Sequence, residues 1–217
     1  MTFGSVFGRT FSPTFQPSSQ AAAAAGGWWD LNGTITSCVA AYQAKGAASY
    51  AASKVNLANP GTYDAVKISG KDGFDTIYGW VMSGGNAQRI VTTAPVNDPA
   101  NRTVILRVYP KFPGWVFHAN GSNAIYVAWN GISQIYNGST TNSYSAALTG
   151  STFQTYAISG NGFFYDGAFI TAGTVGNTAP DENQSMGNIN TGGTFESIYV
   201  AAASFYDVTL SAANTIT

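Results

Sequence analysis

The sequence predicts an all-β protein, an antiparallel β-sandwich that follows an extended N-terminal arm. Strand-length runs rich in β-branched and aromatic residues recur from residue 28 onward, and these residue types suit a pleated sheet. Asn-Gly and Asp-Gly pairs lie between the runs and tolerate the backbone angles of tight hairpins. Hydrophobic residues make up 45% of the 217 residues, which excludes a chain too polar to form a core.

The predicted arm covers residues 1–27. Phe3, Phe7, Phe11 and Phe15 are spaced four apart, which would place them on one helical face. Glycines and prolines between them oppose a continuous helix. An arm with four regular phenylalanines and almost no charge favours a partner surface, so these residues are candidate assembly contacts with another subunit. The alternative is a disordered terminus.

The predicted domain covers residues 28–217, and its strands follow one another closely. The clearest candidates are residues 103–109, 114–118, 124–129, 132–136, 153–158, 162–165, 168–171 and 196–206. Asn-Gly or Asp-Gly turns are predicted at 120–121, 130–131, 137–138, 161–162 and 166–167. The one predicted helix runs from residue 47 to about residue 56. Many short strands joined by hairpins are typical of a sandwich or jelly roll.

Charge is sparse and unevenly placed. Charged residues make up 9% of the chain and the formal net charge is -1, which excludes nucleic acid or a membrane surface as a partner bound through overall positive charge. Every Lys and Arg lies at or before Lys111. Complementary positive and negative halves would guide the association of copies, and sparse surface charge that happens to segregate is the alternative. Weak repulsion between copies favours a homo-oligomer.

The sequence lacks the motifs of the common catalytic classes. Its ten acidic residues never share a predicted strand at the spacing that puts two carboxylates on one face. His118 is the only histidine and Cys38 the only cysteine, so a structural zinc site lacks ligands. No Gly-x-Ser-x-Gly elbow or phosphate-binding glycine loop is present. We expect no enzymatic activity and no cofactor, although carboxylates from different strands could still form a pair.

Two groups of residues are candidate binding sites. The first is one loop with oxygen ligands of the kind that calcium prefers, namely Asp181, Glu182 and Asn183. The second consists of aromatic residues near Asn-rich turns, where sugars could stack and form hydrogen bonds, namely Trp115, Tyr126 and Trp129. The alternatives are a solvated loop for the first group and core packing for the second.

Two C-terminal segments resemble laminin-G-like, concanavalin A-like jelly rolls. Residues 153–170 look like the strand, turn and Tyr-x-Asp-Gly hairpin of that fold, and residues 195–212 resemble its last strand. Residues 40–64 are similar to a segment common in tailed-phage and prophage virion proteins that carry this domain. The resemblance covers residues 28–213 and implies the fold strongly and the function weakly.

The resemblance implies a non-enzymatic virion structural protein of a tailed phage, either a capsid decoration or a tail-associated subunit. In this interpretation residues 1–27 anchor it to other virion proteins and to symmetry mates. The acidic strand of the family's glucanases and the acidic metal-binding stretch of its legume lectins are missing. The alternative is a glycan-binding adhesion module on the particle surface, and the second alternative is a glycoside hydrolase.

Overall fold

The computed structural model of the chain describes the residues 27–30, 37–69, 73–82, 89–95, 101–110, 114–119, 123–127, 132–137, 141–145, 152–160, 162–166, 168–172, 184–187 and 198–210. The four phenylalanines of the predicted arm therefore lie outside the described residues. The predicted role of the arm and its boundary at residue 27 remain predictions.

The described strands form two antiparallel sheets. The larger sheet contains β1 Cys38–Gln43, β3 Phe74–Asp75, β4 Gly79–Met82, β6 Thr103–Pro110, β11 Gln154–Ser159, β12 Gly162–Tyr165, β13 Ala168–Ala172 and β15 Ile198–Tyr206. The smaller sheet contains β2 Val66–Ser69, β5 Arg89–Thr92, β7 Gly114–Ala119, β8 Asn123–Val127, β9 Ile132–Asn137, β10 Thr141–Ser145 and β14 Gln184–Gly187. This arrangement confirms the predicted all-β antiparallel sandwich.

Part of the strand order within each sheet follows the hairpins that the sequence predicts. The larger sheet has the order β13-β12-β11-β6-β15-β4-β3, and β1 pairs with the remaining length of β15. The smaller sheet has the order β10-β9-β8-β7-β14-β5-β2. Each of the five predicted turns connects two consecutive strands that pair antiparallel. The dipeptides that permit tight turns thus lie where the chain reverses.

The main core lies between the two sheets. On β6, Val104, Leu106 and Val108 are fully buried and belong to one cluster with Ile90 of β5 and Met186 of β14. This alternation places every second residue of β6 toward the other sheet. Burial of each such side chain contributes about 1.5–3 kcal/mol relative to leaving it exposed.

A buried polar contact links the two sheets. Tyr42 of β1 and Thr92 of β5 approach to 2.6 Å between their hydroxyl oxygens, and both hydroxyls contact the carbonyl of Tyr63. A buried tyrosine hydroxyl needs such partners, because leaving it unpaired would cost free energy. Burial raises the pKa of Tyr42 well above its ordinary value of 10.0, so this hydroxyl stays protonated.

The helix is shorter than predicted. Helix α1 spans Tyr50–Ser53, with the Ser49 hydroxyl accepting a hydrogen bond from the amide of Ala52 at 3.1 Å. The prediction of a helix as far as residue 56 is wrong, because Asn56 bonds to the neighbouring loop and strand instead. In the part of the chain that the structure describes, no helix is long and apolar enough to span a membrane.

Asn56 organises the loop that follows α1. Its side chain is fully buried; Oδ1 accepts from the amide of Ala41 at 3.0 Å, and Nδ2 donates to the carbonyls of Val39 at 3.1 Å and Thr62 at 2.8 Å. The amide of Asn56 donates to the Asp64 carboxylate at 2.8 Å. These bonds fix the loop against β1.

Candidate functional site

The outer face of the larger sheet is divided into two parts. One part, the covered half, is a second buried cluster of Cys38, Ala41, Ile105, Ala157, Phe164, Tyr206 and Leu210. Chain segments outside the sheet cover it with Trp28, Trp29, Leu57 and Ala58. The other part, the aromatic cluster, consists of Tyr78, Tyr109, Phe153 and Tyr199, which are all only partly buried. These rings are the candidate functional site.

The four rings of the aromatic cluster lie close together. Ring centroids are 4.8 Å apart for Tyr78 and Tyr109, 5.0 Å for Tyr78 and Tyr199, and 5.2 Å for Tyr109 and Phe153. Tyr109 and Tyr199 are directly opposite each other across β6 and β15. Tilted and edge-to-face pairs at these distances stabilise one another, so the cluster is a preformed surface.

Strand periodicity places two of these rings on the outer face. On β15, Tyr199 lies between Ile198 and Val200, which are buried in the core between the sheets. On β6, Tyr109 follows the buried Val108 and lies two positions after the exposed Arg107. Because successive side chains point to opposite faces of a sheet, Tyr109 and Tyr199 both face outward.

A tight turn between β3 and β4 positions Tyr78. The Asp75 carboxylate caps this turn, since its Oδ1 accepts from the amides of Ile77 at 2.6 Å and Tyr78 at 3.0 Å. Gly79 follows with a φ of 102°, and a Cβ atom there would lie 2.2 Å from the carbonyl oxygen of Val200. Only glycine permits this approach, which holds the turn against β15.

Lys45 reaches the cluster from the end of β1. A bulge in β15 leaves the Ala201 carbonyl to accept from the amide of Lys45 at 2.9 Å, and the Gly46 amide donates to the carbonyl of Thr76 at 2.8 Å. The turn that carries Lys45 is thereby attached to the turn that carries Tyr78. The Nζ atom of Lys45 lies 4.1 Å from the ring centroid of Phe153, a cation–π distance.

Arg107 approaches the same ring from β6. Its Cζ atom lies 5.7 Å from the Phe153 centroid, and its Nη1 donates to the Thr155 hydroxyl at 3.3 Å. The backbone of Thr155 is held in turn by Asp166, whose Oδ1 accepts from the Thr155 amide at 2.7 Å and whose own amide donates to the Thr155 carbonyl at 2.8 Å. Asp166 therefore holds the backbone of Thr155 through both its side chain and its own amide.

The covered half has chemistry of a different kind. Burial raises the pKa of the Cys38 thiol from 9.0 to about 12, and burial also raises the pKa of Tyr206. The Tyr206 hydroxyl donates to the carbonyl of Trp29 at 2.8 Å. A neutral, buried thiol is a small apolar group rather than a nucleophile, so the covered half is a packing surface.

The candidates from the sequence lie elsewhere. Trp115 and Tyr126 are register partners on β7 and β8 of the smaller sheet, whereas the strands beneath the aromatic cluster belong to the larger sheet. The third sugar-binding candidate, Trp129, lies outside the described residues, as do the three calcium candidates Asp181, Glu182 and Asn183. Within the described ranges, no group of three His, Cys, Asp or Glu side chains could hold a metal ion. Both binding predictions therefore remain untested.

Neither a protein-family model nor a curated protein matches the sequence. Solved structures of botulinum neurotoxin binding domains do match. A serotype D ligand binding domain in complex with N-acetylneuraminic acid has a TM-score of 0.63 and 12% identity, over 86% of this chain and 51% of that chain. A serotype D binding domain has a TM-score of 0.61 and 14% identity, over 85% of this chain and 52% of that chain. The type G receptor binding domain has a TM-score of 0.61 and 8% identity, over 83% and 50%.

These similarities define the class of fold. The chain is a jelly-roll-like β-sandwich of the type found in these binding domains, as the resemblance to concanavalin A-like domains implied. It spans about half the length of the structures that it matches. Identities this low concern the fold and leave function to the site. The predicted phage origin remains a prediction.

Proposed function

We propose that the protein is a non-enzymatic glycan-binding module that acts in adhesion. The observation that carries the proposal is the aromatic cluster, in which four adjacent rings remain partly exposed on the outer face of the larger sheet. A tyrosine combines an apolar ring with a polar hydroxyl and therefore suits a ligand that is itself amphipathic. Sugars fit this description, because their rings have C–H faces edged by hydroxyl groups.

The geometry favours binding of a preorganised kind. The rings are fixed by a strand register and by the Asp75-capped turn, so few side chains need to be ordered when a ligand binds. Preorganisation lowers the entropic cost of binding, at about 0.5–1.5 kcal/mol for each side chain that is already immobilised. A shallow surface of weak individual contacts benefits from this saving.

The described carboxylates support binding rather than hydrolysis. Asp64, Asp75 and Asp166 each accept a hydrogen bond from a backbone amide. A glycosidase instead needs two carboxyl groups that flank the scissile bond. The acidic residues in the described part of the chain near the aromatic cluster thus have structural roles.

Two structural neighbours support the choice of a sugar ligand. One neurotoxin ligand binding domain was solved with N-acetylneuraminic acid, and a type C neurotoxin is described as interacting with two ganglioside molecules. The type C structure has a TM-score of 0.61 with 8% identity. Each likeness extends over about half of the neighbour, so the sugar contacts proposed here rest on the residues of this chain.

A glycan array probed with the whole protein tests the proposal. We expect Tyr109→Ala and Tyr199→Ala each to weaken binding about tenfold, the effect of losing roughly 1.4 kcal/mol of ring contact. Phe169→Ala is the matched control, since Phe169 is an aromatic on the same sheet that is 55% exposed and outside the cluster. An array without bound glycans, or an equal loss in the control, would contradict the proposal.

A second candidate function is that of a virion structural subunit, with the sugar site serving a phage particle. The resemblance of residues 40–64 to virion proteins and the phenylalanine spacing of the arm favour it. Deletion of residues 1–27 tests the anchoring role: we expect the truncated protein to be lost from particles. Normal incorporation of the truncated protein would dismiss the anchor.

A further inference from the structure

Two cations share one ring of the aromatic cluster. The Lys45 Nζ lies 4.1 Å from the Phe153 centroid and the Arg107 Cζ lies 5.7 Å from it. Both cationic residues are exposed. In a chain with only nine Lys and Arg residues, this places two positive charges at the edge of the candidate sugar site.

Neither cation is neutralised by a described carboxylate. Lys45 and Arg107 form no ion pair within the ranges that the structure describes. The neighbouring Asp75 and Asp166 carboxylates accept hydrogen bonds from backbone amides instead. Arg107 donates from Nη1 to Thr155, which uses one of the five N–H donors of a guanidinium group.

Backbone contacts place both cationic residues beside the rings. Arg107 and Thr155 are register partners on β6 and β11, and Lys45 is attached through its amide to the Ala201 carbonyl in the β15 bulge. The sheet register and the bulge thus fix the backbone from which each charged side chain reaches Phe153. An anionic ligand group would meet a donor from each side chain, and charge-assisted hydrogen bonds of this kind are stronger than neutral ones.

We infer that the aromatic cluster selects acidic glycans, with the sugar against the tyrosines and its carboxylate or sulfate group bound by Lys45 and Arg107. This inference rests on the proposed glycan-binding function and names the ligand class. A planar carboxylate can accept two parallel hydrogen bonds from a guanidinium, and a lysine ammonium adds a point charge.

Titration of the whole protein with 3′-sialyllactose, 3′-sulfolactose and lactose tests the inference. We expect the preferred acidic sugar to bind about tenfold more tightly than lactose, the factor that roughly 1.4 kcal/mol of charge-assisted bonding supplies. The preference should shrink at high salt, because exposed charges are screened. The sialylated and sulfated probes distinguish a carboxylate from a sulfate as the recognised group.

Charge variants connect the preference to the two residues. Lys45→Gln and Arg107→Gln should each reduce the ratio of acidic-sugar affinity to lactose affinity to about threefold or less, since half of the charge contact is lost. Lys54→Gln is the matched control, because the Lys54 Nζ lies 4.5 Å from the Tyr50 centroid, away from the cluster. Lys45→Arg should retain the preference.

The outcomes separate the inference from the function on which it rests. Equal affinity for lactose and both acidic sugars would overturn the inference and leave glycan binding intact. An absence of binding to all three sugars and to a wider array would overturn both. Binding of polyglutamate as tight as that of the acidic sugars would also overturn the inference, since it would indicate an acidic protein as the partner.

Discussion

The covered half and the aromatic cluster occupy the same face of the same sheet, and both include residues of β6 and β15. On β6, Ile105 belongs to the covered half while Arg107 and Tyr109 lie at the aromatic cluster. On β11, Ala157 belongs to the covered half. Phe153, which directly precedes β11, belongs to the aromatic cluster. Neighbouring positions of one strand therefore serve two different environments.

The difference lies in chemistry as well as in exposure. The buried members of the covered half are uncharged, and Trp28 and Leu57 close it from solvent. The aromatic cluster instead has Lys45 and Arg107 beside its rings. A contiguous apolar patch that no segment in the described ranges covers marks an interaction site. The two cations beside the patch favour a polar, anionic ligand over another apolar segment of this chain.

The largest contrast should come from removing one phenylalanine from each part. Phe164→Ala in the covered half should lower the free energy of unfolding by about 3–5 kcal/mol, because it leaves a cavity in a packed core. Phe153→Ala in the aromatic cluster should cost less, about 1–2 kcal/mol, since a ring that is already partly exposed loses less burial. Urea unfolding of both variants measures the difference.

The same pair also separates stability from binding. Phe153→Ala should lose the acidic-sugar preference, because the ring that lies beneath both cations is gone. Phe164→Ala should keep that preference wherever it remains folded. Equal stability losses in the two variants would mean that the cluster is an ordinary part of the core.

The cover itself should depend on Asn56. Asn56→Ala removes the side-chain bonds to Ala41, Val39 and Thr62, and we expect a loss of about 3 kcal/mol because buried backbone groups are left unpaired. Asn59→Ala is the control, since Asn59 is exposed. A thermal melt of Asn56→Ala that matches the control would contradict the role of this amide in holding the cover.

Much of the fold could be predicted from local sequence. Turn dipeptides and strand-length runs act over a few residues, so the hairpins from β7 to β10 and from β11 to β13 follow from the sequence. The pairing of β15 with β1, β4 and β6 joins residues that are far apart in sequence. No local pattern specifies such contacts, because they depend on the packing of the whole sandwich.

The site was less predictable for the same reason. The alternation on β6 could have placed Tyr109 and Arg107 on one face, and the alternation on β15 could have placed Tyr199 outward. What local pattern could not give is that Tyr78 and Phe153 converge on them. The helix prediction failed at Asn56 because a tertiary hydrogen-bond network prevailed over local helix propensity.

Alkaline pH should affect the covered half through its ionisable groups. The pKa of Cys38 is raised from 9.0 to about 12, so the unfolded thiol ionises at a pH where the folded thiol keeps its proton. The contribution of this thiol to the free energy of unfolding is therefore fully present below pH 9. It is lost as the pH rises from 9 to 12, by about 1.4 kcal/mol per pH unit. Tyr206, with its raised pKa, adds to the loss at higher pH.

Cys38→Ala measures the contribution of the thiol. Unfolding free energies of the parent protein and the variant, followed upward from pH 8, should converge above pH 9, because only the parent loses stability through the thiol. Identical slopes in the two proteins would show that the thiol titrates with an ordinary pKa in the folded state.

The smallest expected effect concerns Asp166, the exposed turn residue that directly follows β12. Its side chain and backbone hold Thr155 beside Arg107, and its φ of 42° lies in the left-handed region. Asp166→Ala should cost about 1 kcal/mol through a lost hydrogen bond and a strained backbone. Asp166→Asn should cost almost nothing, because asparagine also accepts the bond and tolerates this conformation. If the alanine variant were as stable as the asparagine variant and bound acidic sugar equally well, the hairpin would not position Arg107, and the register of β6 and β11 alone would place that cation.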